Sequence, residues 1–368
     1  MPFLIGPLAD AALRLRLAPG ATPAAPLSGR LPVPARAGLG VDGWPVLLPG
    51  ADALETWQTD WTPQLRRYAE IMGLAPLPCM GRDLLGILAQ PGASDATGGG
   101  PWQPGLAAAL ADWLLALPAD RPAATIRARL PMIATWVASR QRAMAETRVL
   151  PPLGPPGVER LQIISRDEPY AQFFALEDLT LRQRRHRGGW SAPLRRAVFV
   201  SGDATVVLPW DPRRDRVMLI DQFRAAPTAR GDCQPWLHET VAGRIDAGET
   251  PEVAALREAR EETGLQIHRL IPAPHHYPSP GALAEYLYLY LGIADLPDAA
   301  AGLGGLETED EDIRSHVIPR AELTRMALAG EIRNGPLLTL ALWLELNHAR
   351  LGRELAGPAG LPPSAGGV

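Results

Sequence analysis

The sequence predicts an α/β sandwich over residues 158–355, preceded by a smaller α+β domain over 1–150. Three observations predict it. The chain has 368 residues, the length of two ordinary domains. Its texture changes at PPLGPPG (151–157), a Pro-rich stretch that reads as a stiff, extended connector. Beyond it, runs rich in β-branched and aromatic residues are mixed with a few helices. That is the pattern of a sheet covered by helices, not of a bundle or an all-β barrel.

Taken in order, residues 1–60 are dense in Ala, Pro, Gly and Leu and carry little periodicity. The stretch 92–105 is a loop by its Gly, Pro and small polar content. Leu106, Leu110, Trp113, Leu114 and Leu117 recur at three- and four-residue steps and predict a helix, with a second over 121–147. After the connector, RLQIISRD, LEDLTLRQRRHR, RRAVFVSGDATVVLPWD, DRVMLIDQFR and AEYLYLYLGIAD read as strands. Helices are expected at 251–262 and 337–349, and residues 356–368 read as a disordered tail. There is no internal repeat.

Apolar residues make up 46% of the chain and charged residues 21%, ample material for packed cores. The net charge is −4, without the basic excess of a general nucleic-acid or anionic-membrane binder. Cys79 and Cys233 form neither a disulfide framework nor a zinc cluster, so a reducing cytoplasm is expected. The N-terminal MPFLIGPLADAALRLRL has no basic residue before its apolar stretch, unlike a signal peptide. The apolar run 105–119 is interrupted by Asp112 and is too short to cross a bilayer, so no membrane partner is expected.

The chemistry is concentrated in GRIDAGETPEVAALREAREETGL, residues 243–265. Thr250 is a natural N-cap, Pro251 suits the first helical position, Glu252 favours the positive helix end, and Gly264 ends the helix. Glu258, Glu261 and Glu262 then point to one side, with Arg257 and Arg260 among them. Carboxylates this close repel unless a cation shares their face, and hard oxygen ligands without His or Cys favour Mg²⁺ or Mn²⁺. The bland alternative is a solvated helix laced with Arg–Glu pairs.

Spacing decides between the two. Gly243, five residues, Glu249, seven residues, Arg257-Glu258-Ala259, one residue, Glu261-Glu262, one residue and Gly264-Leu265 resemble the Nudix box at every fixed position. The resemblance implies a Nudix α/β/α sandwich and metal-assisted attack of water on a phosphoanhydride. It also implies metal ligation by Glu258, Glu262, the Ala242 carbonyl and Glu261, with Gly243, Glu249, Arg257 and Gly264 supporting the loop and orienting the carboxylates.

Residues 158–350 further resemble bacterial ADP-ribose pyrophosphatases, most of all the TrgB-type proteins associated with tellurite resistance. Pro280 stands fifteen residues past the box in YPSPGALAE, the mark of ADP-ribose members. The resemblance implies that Ser279 and Glu285 bond the terminal ribose and that Arg196 and Arg224 grip the phosphates, work suited to a planar guanidinium fork. Read alone, Ser279–Gly281 is also a plain turn, and either arginine a solvated strand-end charge. Five acidic residues lie between 307 and 312, a run that is most often only solvated. In the resembling enzymes a loop here supplies the catalytic carboxylate, and the match falls on Glu309, with Glu311 next.

The expected reaction is Mg²⁺-dependent hydrolysis of ADP-ribose to AMP and ribose 5-phosphate by a homodimer. The alternatives are another nucleotide-sugar pyrophosphatase, such as one acting on GDP-mannose, or a non-catalytic ADP-ribose sensor. The basic run 182–187 (RQRRHR) fits a strand with one solvated face, so no nucleic-acid partner is expected. His275 and His276 have no third ligand nearby, and GLGG (302–305) precedes no helix, so neither marks a site. Trp44, Trp57, Trp61 and Trp102 are assigned to the first core. In the first domain, Ile5-Gly6-Pro7-Leu8 is similar to the Tyr-Gly-Ser/Thr-Leu loop of γ-glutamylcyclotransferases, and Glu70 matches insecurely the family's acidic position. This implies a degenerate α+β barrel that has lost the aromatic and hydroxyl residues of that chemistry.

Overall fold

The computed structural model describes residues 1–88, 101–146, 159–306 and 310–356. The expected connector at 151–157, the tail from 357 on, Glu309 and most of the loop at 92–105 lie outside the described residues. The chain divides into two compact units, Met1–Val200 with Asp246–Glu249, and Ser201–Ile245 with Thr250–Val368.

In the first unit, β1 (Phe3–Ile5), β2 (Thr22–Arg30), β3 (Leu48–Gln58), β4 (Leu77–Cys79) and β5 (Arg82–Leu85) form a sheet of order β2-β3-β1-β5-β4. Only the β1–β5 pair is parallel. Helices α1 (Ala11–Leu17), α2 (Pro63–Met72), α3 (Pro104–Ala116), α4 (Ala123–Ala128) and α5 (Leu130–Ala145) accompany it. Leu4, Ile5, Leu13, Leu65, Tyr68 and Leu110 are fully buried, so residues 1–60 contribute strands and core despite their weak periodicity. Trp44 is buried edge-on to Tyr68, while Trp57, Trp61 and Trp102 are only partly covered. The single helix expected over 121–147 is broken into α4 and α5 at Arg129, just ahead of Pro131 at the start of α5.

The unit ends in an antiparallel meander of β6 (Leu161–Ala171), β7 (Ala175–Gln183) and β8 (Leu194–Val200). The basic run does not continue as a strand. β7 stops at Gln183, and residues 185–189 turn through Gly188 and Gly189, both at positive φ, back to Trp190.

The second unit is built on one mixed sheet. Its strands are β9 (Ala204–Asp211), β10 (Arg216–Phe223), β11 (Trp236–Glu239), β12 (Val241–Arg244), β13 (Arg269–Pro272), β15 (Leu287–Ile293), β16 (Leu303–Gly304) and β17 (Ile313–Pro319), while the two-residue strand β14 (Leu283–Ala284) lies outside this sheet. The main path runs β13-β15-β9-β10-β17-β16, with β12 on β9 and β11 on β10. RRAVFVSGDATVVLPWD, expected as one strand, is two, because Gly202 at φ +87° breaks β8 from β9. Pro209 is tolerated inside β9 because β12 pairs with 204–207 and β10 with 210–211, and its missing N–H falls between them on that side.

Alternation along the strands creates two faces. Leu208, Leu289 and Leu291 pack with Leu337, Leu340 and Leu344 of α9 (Gly335–Ala356), which follows α8 (Arg320–Leu328). Val207, Met218 and Tyr290 turn the other way, onto Ala254, Ala255 and Ala259 of α7 (Pro251–Thr263). A short helix, α6 (Ala225–Arg230), follows β10. The unit is therefore an α/β/α sandwich.

Leu340 is fully buried and Leu346 is 85% exposed on the same helix. Leu340→Ala should lower stability by about 2–5 kcal/mol in urea denaturation. Leu346→Ala should stay within about 0.5 kcal/mol of the parent.

Candidate active site

Sheet topology gathers the site. β12 and β10 run antiparallel to β9, β17 runs antiparallel to β10, and β15 runs parallel to β9. The start of β9, the ends of β10 and β12, and the starts of β15 and β17 therefore share one end of the sheet. Ser201, Asp203, Arg224, Arg244, Glu285 and Glu311 all fall there, from segments up to 110 residues apart in sequence.

Helix α7 brings in the other carboxylates. Its start is capped as expected, with the Thr250 side chain accepting from Val253 N at 3.3 Å, and it ends at Gly264 with φ +67°. Glu262 is 2% exposed, and the Ala242 N–H donates to its Oε2 at 3.2 Å. Arg257 donates to Glu258 Oε1 at 2.7 Å, to Glu261 Oε2 at 3.0 Å and to the Arg244 carbonyl at 3.0 Å. One guanidinium thus ties two helix carboxylates to the end of β12. The loop before the helix folds on itself, with Asp246 N donating to Glu249 Oε2 at 3.2 Å.

Two glycines allow the close packing. A Cβ on Gly243 would lie 2.0 Å from the Glu258 carboxyl carbon, so the bare backbone leaves room for that side chain. A Cβ on Gly304 would lie 1.8 Å from the Glu262 carbonyl oxygen, and Gly305 N donates to Glu261 O at 3.3 Å. GLGG is indeed no dinucleotide fingerprint; it presses the start of the acidic loop against the end of α7.

The electrostatics follow. Burial, reinforced by Glu261 and Glu311 and opposed by Arg257, pushes the Glu258 carboxyl up to about 7. Burial, with Glu258 and Glu311 adding to it, raises Glu262 well above the carboxylate range. These acidic groups repel in a dry pocket, the electrostatic condition a divalent cation relieves. Among the described residues, no three His, Cys, Asp or Glu side chains close on one point as a ready-made metal cluster. What fits a cation is the hard-oxygen set of Glu258 and Glu262, with the main chain of Ala242 beside them.

Arg224 follows β10 and is held by a fork–fork pair with Glu239, Nε to Oε1 at 3.1 Å and Nη2 to Oε2 at 2.8 Å. Burial pulls the Arg224 guanidinium down, but Glu239 and then Glu262 outweigh it and the net shift is upward. Glu285 accepts from Ser201 Oγ at 3.2 Å; burial raises its carboxyl, Ser201, Arg244 and Arg224 lower it, and Asp203 adds to the rise. Ser279 and Pro280 are exposed in a turn closed by Leu283 N to Ser279 O at 2.9 Å. Arg196 lies exposed on β8 in the first unit, with Nη1 on the Arg195 carbonyl. Glu309 is outside the described residues, while Glu311 is partly buried beside the box carboxylates.

Sequence reasoning missed Glu239, Ser201, Asp203 and Arg244. Glu239 leaves a faint signal, the one carboxylate in the strand run PWLHETV. His275 Nδ1 accepts from Leu289 N at 3.0 Å, and its ring packs on Tyr288 and Tyr290.

The architecture and this box define a hydrolase of phosphoanhydrides. A NUDIX domain model matches residues 200–340, and the chain belongs to the Nudix family. It is similar to an ADP-ribose pyrophosphatase of Shigella flexneri, 40% identical over 200 residues, covering 54% of this chain and 95% of that protein. One from Haemophilus influenzae is 35% identical over 193 residues, 52% of this chain and 88% of that protein. A GDP-mannose pyrophosphatase of Escherichia coli is 32% identical over 176 residues, 48% of this chain and 90% of that protein. The chain is accordingly a Nudix hydrolase acting on pyrophosphate bonds, in a family generally dependent on a divalent metal. No described helix is long and apolar enough to cross a membrane.

Two outcomes follow. Gly243→Ala should fold normally but displace Glu258 and cut hydrolysis by at least ~10-fold, whereas Gly304→Ala meets backbone and should also lower Tm by several degrees. Circular dichroism and turnover assays separate the two. For pH, a carboxyl raised in the folded state contributes stability that is complete below its unfolded value near 4.5 and is lost as pH rises through about 7. Metal-free protein should therefore lose more Tm between pH 5 and pH 8 than Glu258→Gln does, and added Mg²⁺ should shrink that difference.

Proposed function

We propose that the chain is a Mg²⁺-dependent ADP-ribose pyrophosphatase. The observation that carries this reading is the meeting of Glu258 and Glu262 with Arg224 and Glu285 at one end of the sheet: cation ligands, a phosphate fork and a sugar-hydroxyl acceptor together. Glu258, Glu262, the Ala242 carbonyl and Glu261 hold Mg²⁺ or Mn²⁺, while Gly243, Glu249, Arg257 and Gly264 shape the box. Bound there, the metal lowers the pKa of water and neutralises charge on the phosphoryl oxygens.

Arg224, pre-set by Glu239, grips the diphosphate, and the resemblance gives Arg196 the same role. Ser279 and Glu285 bond the terminal ribose, with Pro280 setting the turn. A loop carboxylate takes the proton of the attacking water, whose oxygen forms the new P–O bond as the anhydride P–O bond breaks. Glu309 is our choice for that base, with Glu311 its competitor because register in an acidic repeat slips easily by two. The products are AMP and ribose 5-phosphate. The similarity to a GDP-mannose pyrophosphatase supports that substrate as the rival. The intact Glu258, Glu261 and Glu262 weigh against a non-catalytic sensor.

The finer reading is a cytoplasmic TrgB-type homodimer with a degenerate cyclotransferase-like first domain. Exposed Leu161, Ile163 and Ile164 on β6 support the dimer. Gly6 at φ +57° directly after β1 supports a relic loop at Ile5–Leu8, and the isolated 1–150 segment should release no 5-oxoproline.

The deciding experiment is a panel of ADP-ribose, GDP-mannose, diadenosine polyphosphates and NADH with Mg²⁺. ADP-ribose should be cleaved best, and preference for GDP-mannose would move the assignment. Glu262→Gln should lose at least ~10²-fold. Arg224→Ala should cost roughly 2–4 kcal/mol in kcat/KM. Glu309→Gln should cut kcat by ~10²–10⁴-fold with little change in KM, and Glu311→Gln should cut it less. Full activity in both loop variants would remove this loop from the mechanism.

A further inference from the structure

Within the first unit, α3 and the segment leading to α4 face β6, β7 and β8 across a cleft of about 540 Å³. Its floor is apolar, with Trp113, Leu117 and Pro169, and its charged lining is Arg121, Arg166, Arg195, Asp167, Glu168 and Asp178. A volume of this order holds a small molecule of nucleotide size.

The charges are not evenly answered. Asp178 is taken by Arg195 at the rim. Four guanidiniums, of which Arg121 and Arg166 line the cleft, share two carboxylates. Arg121 lies 3.1 Å and Arg129 3.9 Å from the same Glu168 oxygen, while Arg140 and Arg166 both pair with Glu177. Glu168 and Glu177 side chains are only 9% and 5% exposed, so the carboxylates of these pairs are shielded from water. Arg129 is 8% exposed, yet among the described residues its Nε and Nη2 have no acceptor, and neither has Nη1 of Arg140. The indole Nε1 of Trp113, which lines the cleft, is also buried without an acceptor among the described residues. Burial, only partly offset by the shared glutamates, holds both the Arg129 and Arg140 guanidiniums below the ordinary arginine range.

All of these unmet groups are donors, and three of them belong to charged side chains. A buried guanidinium left short of acceptors costs far more than an exposed one, and such a gap in a native fold calls for a partner. Water could satisfy the hydrogen bonds but not the excess positive charge. An oxyanion does both, because its several acceptor oxygens match guanidinium forks. Asp167, also on the lining, works against a ligand that is anionic all over. The favoured molecule therefore concentrates its charge at one end and places an apolar or neutral body over Trp113 and Pro169.

We propose that this cleft is a second ligand site, separate from the Nudix box, that binds a phosphate-bearing small molecule through Arg121 and Arg166 of its lining, with Arg129 and Arg140 coupled to them by Glu168 and Glu177. Its occupancy offsets the positive charge that Glu168 and Glu177 leave unanswered.

The test uses the full chain in EDTA, with inorganic phosphate as the probe, followed by calorimetry and thermal melting. Phosphate should bind and raise Tm. Trp113→Phe keeps the ring but removes the Nε1 donor, and should weaken binding several-fold. Arg121→Ala should weaken it at least ~10-fold, the scale of one charged hydrogen bond. Arg224→Ala, at the candidate active site, should leave this binding intact. The proposal is overturned if no phosphate binds up to ~20 mM, the weak end of small-ligand affinity. It is equally overturned if Arg224→Ala abolishes binding while Trp113→Phe does not. Should Arg121→Ala fail to fold, Trp113→Phe and Arg224→Ala still decide.

Discussion

Repulsion among carboxylates held away from water governs the second unit. Glu262 is buried against β12, Glu258 is pinned beside Gly243 by Arg257, and Glu311 adds its field from the start of β17. No fold would collect these groups for its own stability, since desolvation and like charge both push their protons back on. The arrangement persists because apolar packing elsewhere supports it. Leu and Val side chains seat α9 on one face of the sheet, and Ala254, Ala255 and Ala259 bring α7 close on the other. Small residues on α7 shorten the distance to the sheet, and that closeness is what desolvates Glu262.

The same constraint explains details that otherwise look unrelated. Gly243 and Gly304 are both places where a methyl group would strike α7, one at a side chain and one at its backbone. Arg257 compensates part of the charge without filling the pocket, because it reaches in from the helix's own edge to Glu258, Glu261 and Arg244. Arg224 is held off these carboxylates by Glu239, which engages the Nε and Nη2 edge of its guanidinium. Without that partner the guanidinium would be free to collapse onto Glu262, whose charge already acts on it. The paired geometry keeps a cation beside the acidic pocket and leaves the pocket open.

The first unit shows the opposite imbalance. Its helices and meander gather four arginines around two buried glutamates, so excess positive charge sits there as excess negative charge sits in the second unit. Each imbalance points to a ligand of opposite sign, and in both cases the scaffold rather than the charged groups supplies the stability.

Much of this was legible in the residues. The caps of α7, its length, the single face shared by Glu258, Glu261 and Glu262, and the apolar runs of β9 and β15 are all local properties. A helix places residues three and four apart side by side whatever surrounds it, so spacing alone yields the carboxylate face and its chemistry. What only tertiary structure decided lies between distant segments: Ser201 on Glu285 across 84 residues, Glu239 on Arg224 across a hairpin, and Arg129 and Arg121 sharing Glu168. Strand order and register set those contacts, and neither is written in any one stretch of sequence. The break at Gly202 and the early end of β7 have the same origin, because a run of strand-forming residues continues only while a neighbouring strand answers it.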